Sequence, residues 1–243
     1  MFAYADEVVA RYPTIRAGVV HAIGLTNGPS PPPLLEEYGA EQGAASQRLE
    51  ATAIADYPSI RAWRSAFSQF GAKPTQYRSA PEALLRRLAK HGEIPSINTL
   101  VDIGNFLSIR YAMPVAVFDR AHVTGSITVR FAVGDEAFSD LGSSSAVRPE
   151  PGEVVFVDEE GVVCARRWCW RQSAQSATGP STTEALVVIE GLHDTADNDI
   201  RGALTDLTKL LVSYQPGGRL TSFQLSAAVL SVDAAEGVDH TVD

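Results

Sequence analysis

The alternation of apolar and polar positions divides the chain into helices and strands whose order points to a fold class. Residues 1–11 read as a short helix, and Val19-Val20-His21-Ala22-Ile23 reads as a buried strand. Thr26–Pro33 ends in three prolines and predicts a turn with extended chain, because proline fixes φ and removes a backbone donor. Leu34–Ala55, rich in alanine and glutamate, predicts a helix. After Tyr57-Pro58, the residues Ile60, Trp63, Phe67 and Phe70 recur at helical spacing until Gly71. Ser79-Ala80-Pro81-Glu82 has the form of a capping box. It opens a helix over Pro81–Lys90 that turns Leu84, Leu85 and Leu88 inward and Arg86, Arg87 and Lys90 outward.

Ile97–Arg110 is a further helix by period, with Ile97, Leu100, Val101 and Leu107 toward a core. Asn98, Asp102 and Asn105 follow one another along one face, so they form a polar stripe. A solvated face, buried hydrogen bonds to backbone and a ligand contact all fit that stripe. Ile127–Phe131 alternates as a strand with Arg130 opposite the apolar residues, and 152–158 with 161–164 reads as a hairpin turning at Glu159-Glu160-Gly161. Ala185–Glu190 is an apolar strand ending on a carboxylate, and Asp199–Tyr214 is an amphipathic helix. The acidic tail from Asp233 is expected to fray. Hairpin-linked strands among helices predict an α+β fold, a mixed and largely antiparallel sheet with packed helices. The expected organisation is one unit over 57–192, a strand and helix extension over 1–56 packed on it, and a C-terminal helix and tail over 193–243.

The 243 residues are 45% hydrophobic and 20% charged, which suits a globular core and excludes a disordered or coiled-coil chain. The longest apolar run, Ala185–Ile189, is far too short to span a membrane, and the acidic residues Asp6 and Glu7 near the start do not resemble an export signal. Two cysteines are too few for a disulfide scaffold, so a cytoplasmic protein is expected. The net charge of −9 weighs against nucleic-acid binding by bulk electrostatics, and no feature suggests DNA. The charge is unevenly spread, however: Arg61–Gln175 carries 14 bases and 12 acids, whereas the flanks carry 6 and 17.

The five histidines are scattered and no pair has zinc-site spacing, so no metal or cofactor is expected. Cys164 and Cys169 read as small buried hydrophobes on opposite faces of one strand. No Walker loop, dinucleotide fingerprint or nucleophile elbow is present. The run Arg166-Arg167-Trp168-Cys169-Trp170-Arg171, taken as a strand, places Arg166, Trp168 and Trp170 on one face. Such a face can stack on bases or aromatic ligands while arginines fork onto phosphate, or it can be a core tryptophan pair covered by arginine stems.

Several motifs in order resemble the B3/B4 domain family: Trp63-Arg64-Ser65-Ala66-Phe67, Lys73–Arg78, Glu82–Arg87, Ile94–Asp102, Asn105, Pro114, Phe118-Asp119, Gly152–Val155, Arg167-Trp168 and Ile189–Leu192. This module edits tyrosine misattached to phenylalanine tRNA within the β chain of bacterial phenylalanyl-tRNA synthetase, and the spacing is most similar to its free-standing relatives. The resemblance implies a pocket between the polar helix and the glutamate-ended strand, holding Asn105 and Glu190, with Glu190 reading the ligand side chain. Gly104 and Ala116 stand where the synthetase carries threonine and histidine, which implies a larger pocket without the usual water-holding groups. Two functions follow from the resemblance. One is a cofactor-free deacylase that hydrolyses a misattached amino acid from tRNA, with Asn105 and Asp102 catalytic and Gly104, Ala116, Glu190, Trp168 and Trp170 around the substrate. The other is a non-catalytic module that binds tRNA or an amino-acid-like ligand. In both, Arg78, Arg86, Arg87, Arg166, Arg167 and Arg171 are the expected RNA contacts. Oligomeric state is left open.

Overall fold

The computed structural model describes residues 1–142, 146–233 and 237–241. The chain runs β1 (Phe2–Tyr4), α1 (Asp6–Arg11), β2 (Arg16–Ile23), α2 (Pro32–Ala51), α3 (Pro58–Gln69), α4 (Ala80–His91), α5 (Thr99–Tyr111), β3 (Val115–Asp119) and β4 (Ile127–Phe131). It continues through β5 (Phe138–Ser139), β6 (Ala146–Val147), β7 (Val154–Val157), β8 (Val163–Arg166), β9 (Arg171–Gln172), β10 (Glu184–Gly191), α6 (Ala196–Tyr214), β11 (Arg219–Leu225), β12 (Ser231–Val232) and β13 (Val238–Thr241). The fold is α+β, as the pattern predicts.

Two sheets face each other. One has the order β12-β1-β4-β7-β8-β9 and the other β13-β11-β2-β10-β3, with β1–β4 parallel and the other pairings antiparallel. The space between them is filled from both sides by Phe2, Tyr4, Val19, Phe118, Val129, Phe156, Leu186 and Val188, together with Trp63 and Phe67 from α3. The outer face of the five-stranded sheet is covered by α5 and α6 through Val20, Ala22, Val187, Ile189, Leu107 and Leu207, with α2 and α4 packed on α5. Strand alternation fixes this division: on β10 the even residues Leu186 and Val188 enter the sandwich and the odd residues Val187 and Ile189 meet the helices. Glu190 shares the parity of Leu186, so the fold drives a carboxyl group into an apolar layer.

Several local expectations change. The segment 1–56 is woven into the sheets rather than laid on them, since β2 lies between β11 and β10 and β1 lies beside β4. A three-residue strand such as β1 has no periodicity to read, so residues 1–11 are strand then helix rather than one helix. The prolines Pro32 and Pro33 begin α2, where missing amide donors cost nothing. Part of the acidic tail pairs as β13 against β11, while residues 234–236 and 242–243 lie outside the described residues. Ile97 precedes α5 and is 64% exposed, not in the core.

The capping box does not form. Ser79 precedes α4, yet its hydroxyl is buried without a partner. Glu82 is fully buried and is held by Arg64 and Arg86 at 2.6 and 2.8 Å, with Arg78 at 3.8 Å. A buried carboxylate needs cations more than it needs the Ser79 amide. Burial alone would raise the Glu82 carboxyl, but the two close arginines outweigh it and hold it below its ordinary range.

Helix α6 packs onto β2 at a glycine. A Cβ on Gly18 would stand 2.8 Å from Leu204 Cγ and 3.0 Å from Ile200 Cγ2. Gly18→Val therefore forces the helix off the sheet and should cost about 2–3 kcal/mol in urea unfolding. An unchanged midpoint would show that α6 does not depend on this contact.

Candidate functional site

Five glutamates are buried in the described residues: Glu41, Glu82, Glu136, Glu153 and Glu190. Four of them meet arginine. Glu41 binds Arg48 and Arg110, Glu82 binds Arg64 and Arg86, Glu136 binds Arg130, and Glu153 binds Arg166. Glu190 has no cation partner among the described residues. The Tyr4 hydroxyl donates to its Oε1 at 2.6 Å, and the Trp168 indole Nε1 donates to the same oxygen at 2.9 Å. Burial pushes the Glu190 carboxyl up and the two hydrogen bonds pull it partly back, leaving it at about 7. Arg130 goes to Glu136 and Arg171 goes to Asp140, so neither compensates Glu190.

Glu190 lines a cavity of about 80 Å³ with Pro114, Ala116, Phe156, Ala165, Trp168, Cys169, Trp170, Arg171 and Gln172. The walls are largely apolar, and the polar groups stand at Glu190 and toward the mouth at Arg171 and Gln172. The run Arg166–Arg171 is not one strand: it turns over residues 167–170 between β8 and β9, and this turn borders the cavity. Arg167 and Trp168 have φ of +44° and +58°, a left-handed pair that non-glycine residues rarely adopt. Contacts on every side hold it: Glu153 forks onto Arg166 and accepts from the Arg167 amide at 3.0 Å, and the Trp168 amide donates to Val154 O at 2.6 Å. Trp168 is thereby swung into the core against Tyr12 and Trp63, away from Trp170. The sequence carries no glycine, asparagine or proline in this run to announce the turn.

The polar stripe of α5 points elsewhere. Asn98 caps the helix by accepting from the Val101 amide, and its amide group donates to Thr178 O. Asp102 is fully buried and accepts from Ser30, Ser96 and the Ile97 amide. Asn105 lies beside the Tyr38 hydroxyl of α2. None of these three residues lines the Glu190 cavity. Gly104 is also displaced from it: a Cβ there would meet Val117 Cγ2 at 3.1 Å and Val115 Cγ1 at 3.7 Å. Those valines project from β3 on the face opposite Ala116, so Gly104 serves close helix–sheet packing. Of the residues expected at the pocket, Ala116, Trp168, Trp170 and Glu190 line the cavity, Asn105, Asp102 and Gly104 do not, and the cavity is small.

The expected RNA-contacting arginines also divide. Arg166 is buried on Glu153, and Arg167 is tied to Glu153 at 3.6 Å and stacked 3.9 Å over the Tyr77 ring. Arg78, Arg86, Arg87 and Arg171 line an open groove of about 400 Å³ with Lys90, His91, Gln76 and Trp170. Trp170 and Arg171 line both groove and cavity, and the Arg171 guanidinium sits 4.6 Å over the Trp170 ring. Burial raises both thiols, Cys164 to about 12, so neither is a thiolate nucleophile near neutral pH. Among the described residues no cluster could hold a metal ion, and no helix is long and apolar enough to cross a membrane.

Tyr4 is the site residue that the sequence conceals. Its strand is too short to show alternation, and its partner lies 186 positions away.

The Glu190 carboxyl makes stability depend on pH. In the folded protein it holds its proton to about pH 7, against 4.5 for an unperturbed glutamate. Between those values the folded state binds more protons than the unfolded state, so stability falls as pH rises through the window and levels off above it. Relative to Glu190→Gln, which does not titrate, the native protein should lose about 3 kcal/mol across that range. Denaturant unfolding at intervals of pH measures this, and parallel profiles for the two proteins would refute it.

Residues 62–209 match the model of the B3/4 domain. The phenylalanine–tRNA ligase beta subunit of Neisseria gonorrhoeae is 33% identical over 85 residues, covering 35% of this chain and 10% of that protein. The beta subunit of Bradyrhizobium diazoefficiens is 40% identical over 83 residues, covering 34% and 10%. The matched segment therefore spans about a tenth of these relatives. An N-terminal fragment of the phenylalanyl-tRNA synthetase beta subunit from Pyrococcus horikoshii superposes with a TM-score of 0.43 at 13% identity, covering 58% of this chain and 45% of that one. With 148 consecutive positions matched to one domain model, this chain belongs to the B3/4 domain family.

Proposed function

We propose that this protein takes up the aminoacylated end of a tRNA, the groove receiving the phosphate backbone and the Glu190 cavity receiving the amino-acid side chain. The observation that carries this reading is the meeting of cavity and groove at Trp170 and Arg171, which line both. A base can stack on the partly exposed Trp170 ring, and phosphates can bind the guanidinium and ammonium groups beside it. Arg78 and Arg86 share the Glu82 carboxylate, whereas Arg87 and Lys90 have no carboxylate partner among the described residues and supply the groove's uncompensated charge. The relatives are beta subunits of phenylalanine–tRNA ligases, which accords with tRNA association.

A second reading, hydrolysis of the ester, is favoured by the Glu190 carboxyl at about 7, a suitable value for a general base near neutrality. In that reaction a water oxygen adds to the ester carbonyl as Glu190 accepts its proton. The bond from carbonyl carbon to ribose oxygen then breaks and the proton passes to that oxygen. Asn105 and Asp102 take no part in this scheme, since neither reaches the cavity.

Two measurements test these readings. Filter binding of mischarged tRNA should weaken with salt, and Arg87→Glu with Lys90→Glu should lower affinity about tenfold and flatten the salt slope by about 1.5. Salt-insensitive binding, or binding untouched by the two reversals, removes the tRNA reading. Release of amino acid from a panel of mischarged tRNAs should be abolished in Glu190→Gln while tRNA binding persists. Equal release by both proteins removes Glu190 as the base.

A further inference from the structure

A cleft of about 250 Å³ lies outside both the Glu190 cavity and the basic groove and shares no lining residue with either. Phe70, Ala72 and Tyr77 line it from the segment between α3 and α4, Glu150 and Glu153 from the approach to β7, and Arg167 from the turn. The Arg167 side chain is only 12% exposed, yet its guanidinium makes no hydrogen bond among the described residues. Its single ion pair is a long one, Nε to Glu153 Oε2 at 3.6 Å. That carboxylate is already engaged, since Arg166 forks onto both of its oxygens at 2.9 Å and the Arg167 amide donates to Oε1. One negative charge therefore stands against two largely buried guanidinium groups. A buried cation whose donors go unused is costly unless something pairs with it.

Two further observations agree. Burial lowers the Arg167 guanidinium from its ordinary value and Glu153 offsets this only in part, whereas the hydrogen bond to Glu82 raises Arg64. The backbone beneath the side chain is strained as well, with φ at +44°, and such outliers gather at binding sites.

The geometry restricts the ligand. Arg167 Cζ stands 3.9 Å from the centre of the Tyr77 ring, so one face of the guanidinium is covered. Its N–H donors lie in the guanidinium plane and stay available, and a planar carboxylate meets such a fork with two parallel hydrogen bonds. Around it the walls are aromatic or apolar, at Phe70, Tyr77, Ala72 and Pro151. The volume exceeds the ~150 Å³ of an apolar cavity that encloses benzene. Glu153 and the exposed Glu150 disfavour a second negative charge on the ligand. Charge and volume together admit a monoanion carried on a ring.

We propose that this cleft binds a small aromatic monocarboxylate, its carboxylate forked onto Arg167 and its ring against Phe70 and Tyr77. The site stands apart from the tRNA reading, because it uses neither the groove nor Glu190.

Calorimetric titration of the full chain with benzoate, its neutral isostere benzamide, and acetate tests this at constant ionic strength. Benzoate should bind at least about tenfold tighter than benzamide, which lacks the charge-assisted fork. It should bind at least about fivefold tighter than acetate, which lacks the ring. The Arg167 Nε–H resonance should shift with benzoate and not with benzamide. Arg167→Gln should bring benzoate within about threefold of benzamide. The pair Arg87→Glu with Lys90→Glu, and separately Glu190→Gln, should leave benzoate affinity within about twofold, since both lie outside the cleft. If Arg167→Gln does not fold, Arg167→Lys takes its place; it keeps the charge, loses the fork and should weaken benzoate about threefold. Equal binding of benzoate and benzamide, an unmoved Arg167 resonance, or benzoate binding lost in the groove pair but kept in the Arg167 variant overturns the proposal. Those results leave the tRNA reading standing, which falls only on its own salt and charge-reversal measurements.

Discussion

A carboxyl group inside an apolar layer must be neutralised, paired with a cation or surrounded by donors, and the choice made at Glu190 governs the site. The protein pairs its other buried glutamates with arginine, which keeps them ionised and makes them permanent parts of the framework. At Glu190 it supplies two neutral donors instead, both aimed at one oxygen. Neutral donors compensate burial only in part, so the group stays near the balance between its two protonation states. The β1 strand, the left-handed turn at Arg167 and Trp168, and the register of β10 all contribute to that one arrangement.

The arginine usage also qualifies any argument from charge counts. The middle of the chain looks mildly basic by composition, yet Arg64, Arg130 and Arg166 are spent on buried carboxylates and offer little to a polyanion. What remains for RNA is set by position. Arg87 and Lys90 lie on the exposed side of α4, one turn apart, beside a groove that opens at Trp170. The proposed phosphate contact is thereby compatible with a net charge of −9, because the acidic flanks lie elsewhere in the sequence.

The strands were legible where the pattern ran for five residues or more, β4 by alternation and β10 as a continuous apolar run, whereas their division into two facing sheets rather than the one expected sheet was not. That β10 ends on a carboxylate was legible too; the Tyr4 and Trp168 donors it meets were not. Tyr4 is carried by three residues of strand, and its approach to Glu190 is a consequence of sheet order rather than of any local signal. The α5 stripe left buried hydrogen bonding and ligand contact open, and the structure places Asn98 and Asp102 in the first class because the loop before α2 and the segment before α5 bring Ser30 and Ser96 to Asp102. The turn at Arg167 defied reading for a different reason. Its left-handed residues are imposed by the Glu153 fork and by burial of the Trp168 ring, both long-range contacts that override local preference.

The two chemical roles open to Glu190 compete for one atom. Oε1 is occupied by Tyr4 and Trp168, so under either proposed reading a ligand group or an attacking water would have to use Oε2. Under the proposed uptake of an aminoacyl group, a side chain that fills the cavity would exclude water from that oxygen, and Glu190 would then act on no ester. A shorter or less polar side chain leaves room for a water between Oε2 and the ester, and the carboxyl can then accept its proton. In a cavity of about 80 Å³ the two cases differ by only one or two heavy atoms. Binding and hydrolysis, the two readings proposed for Glu190, would then be separated by the size of the ligand side chain alone.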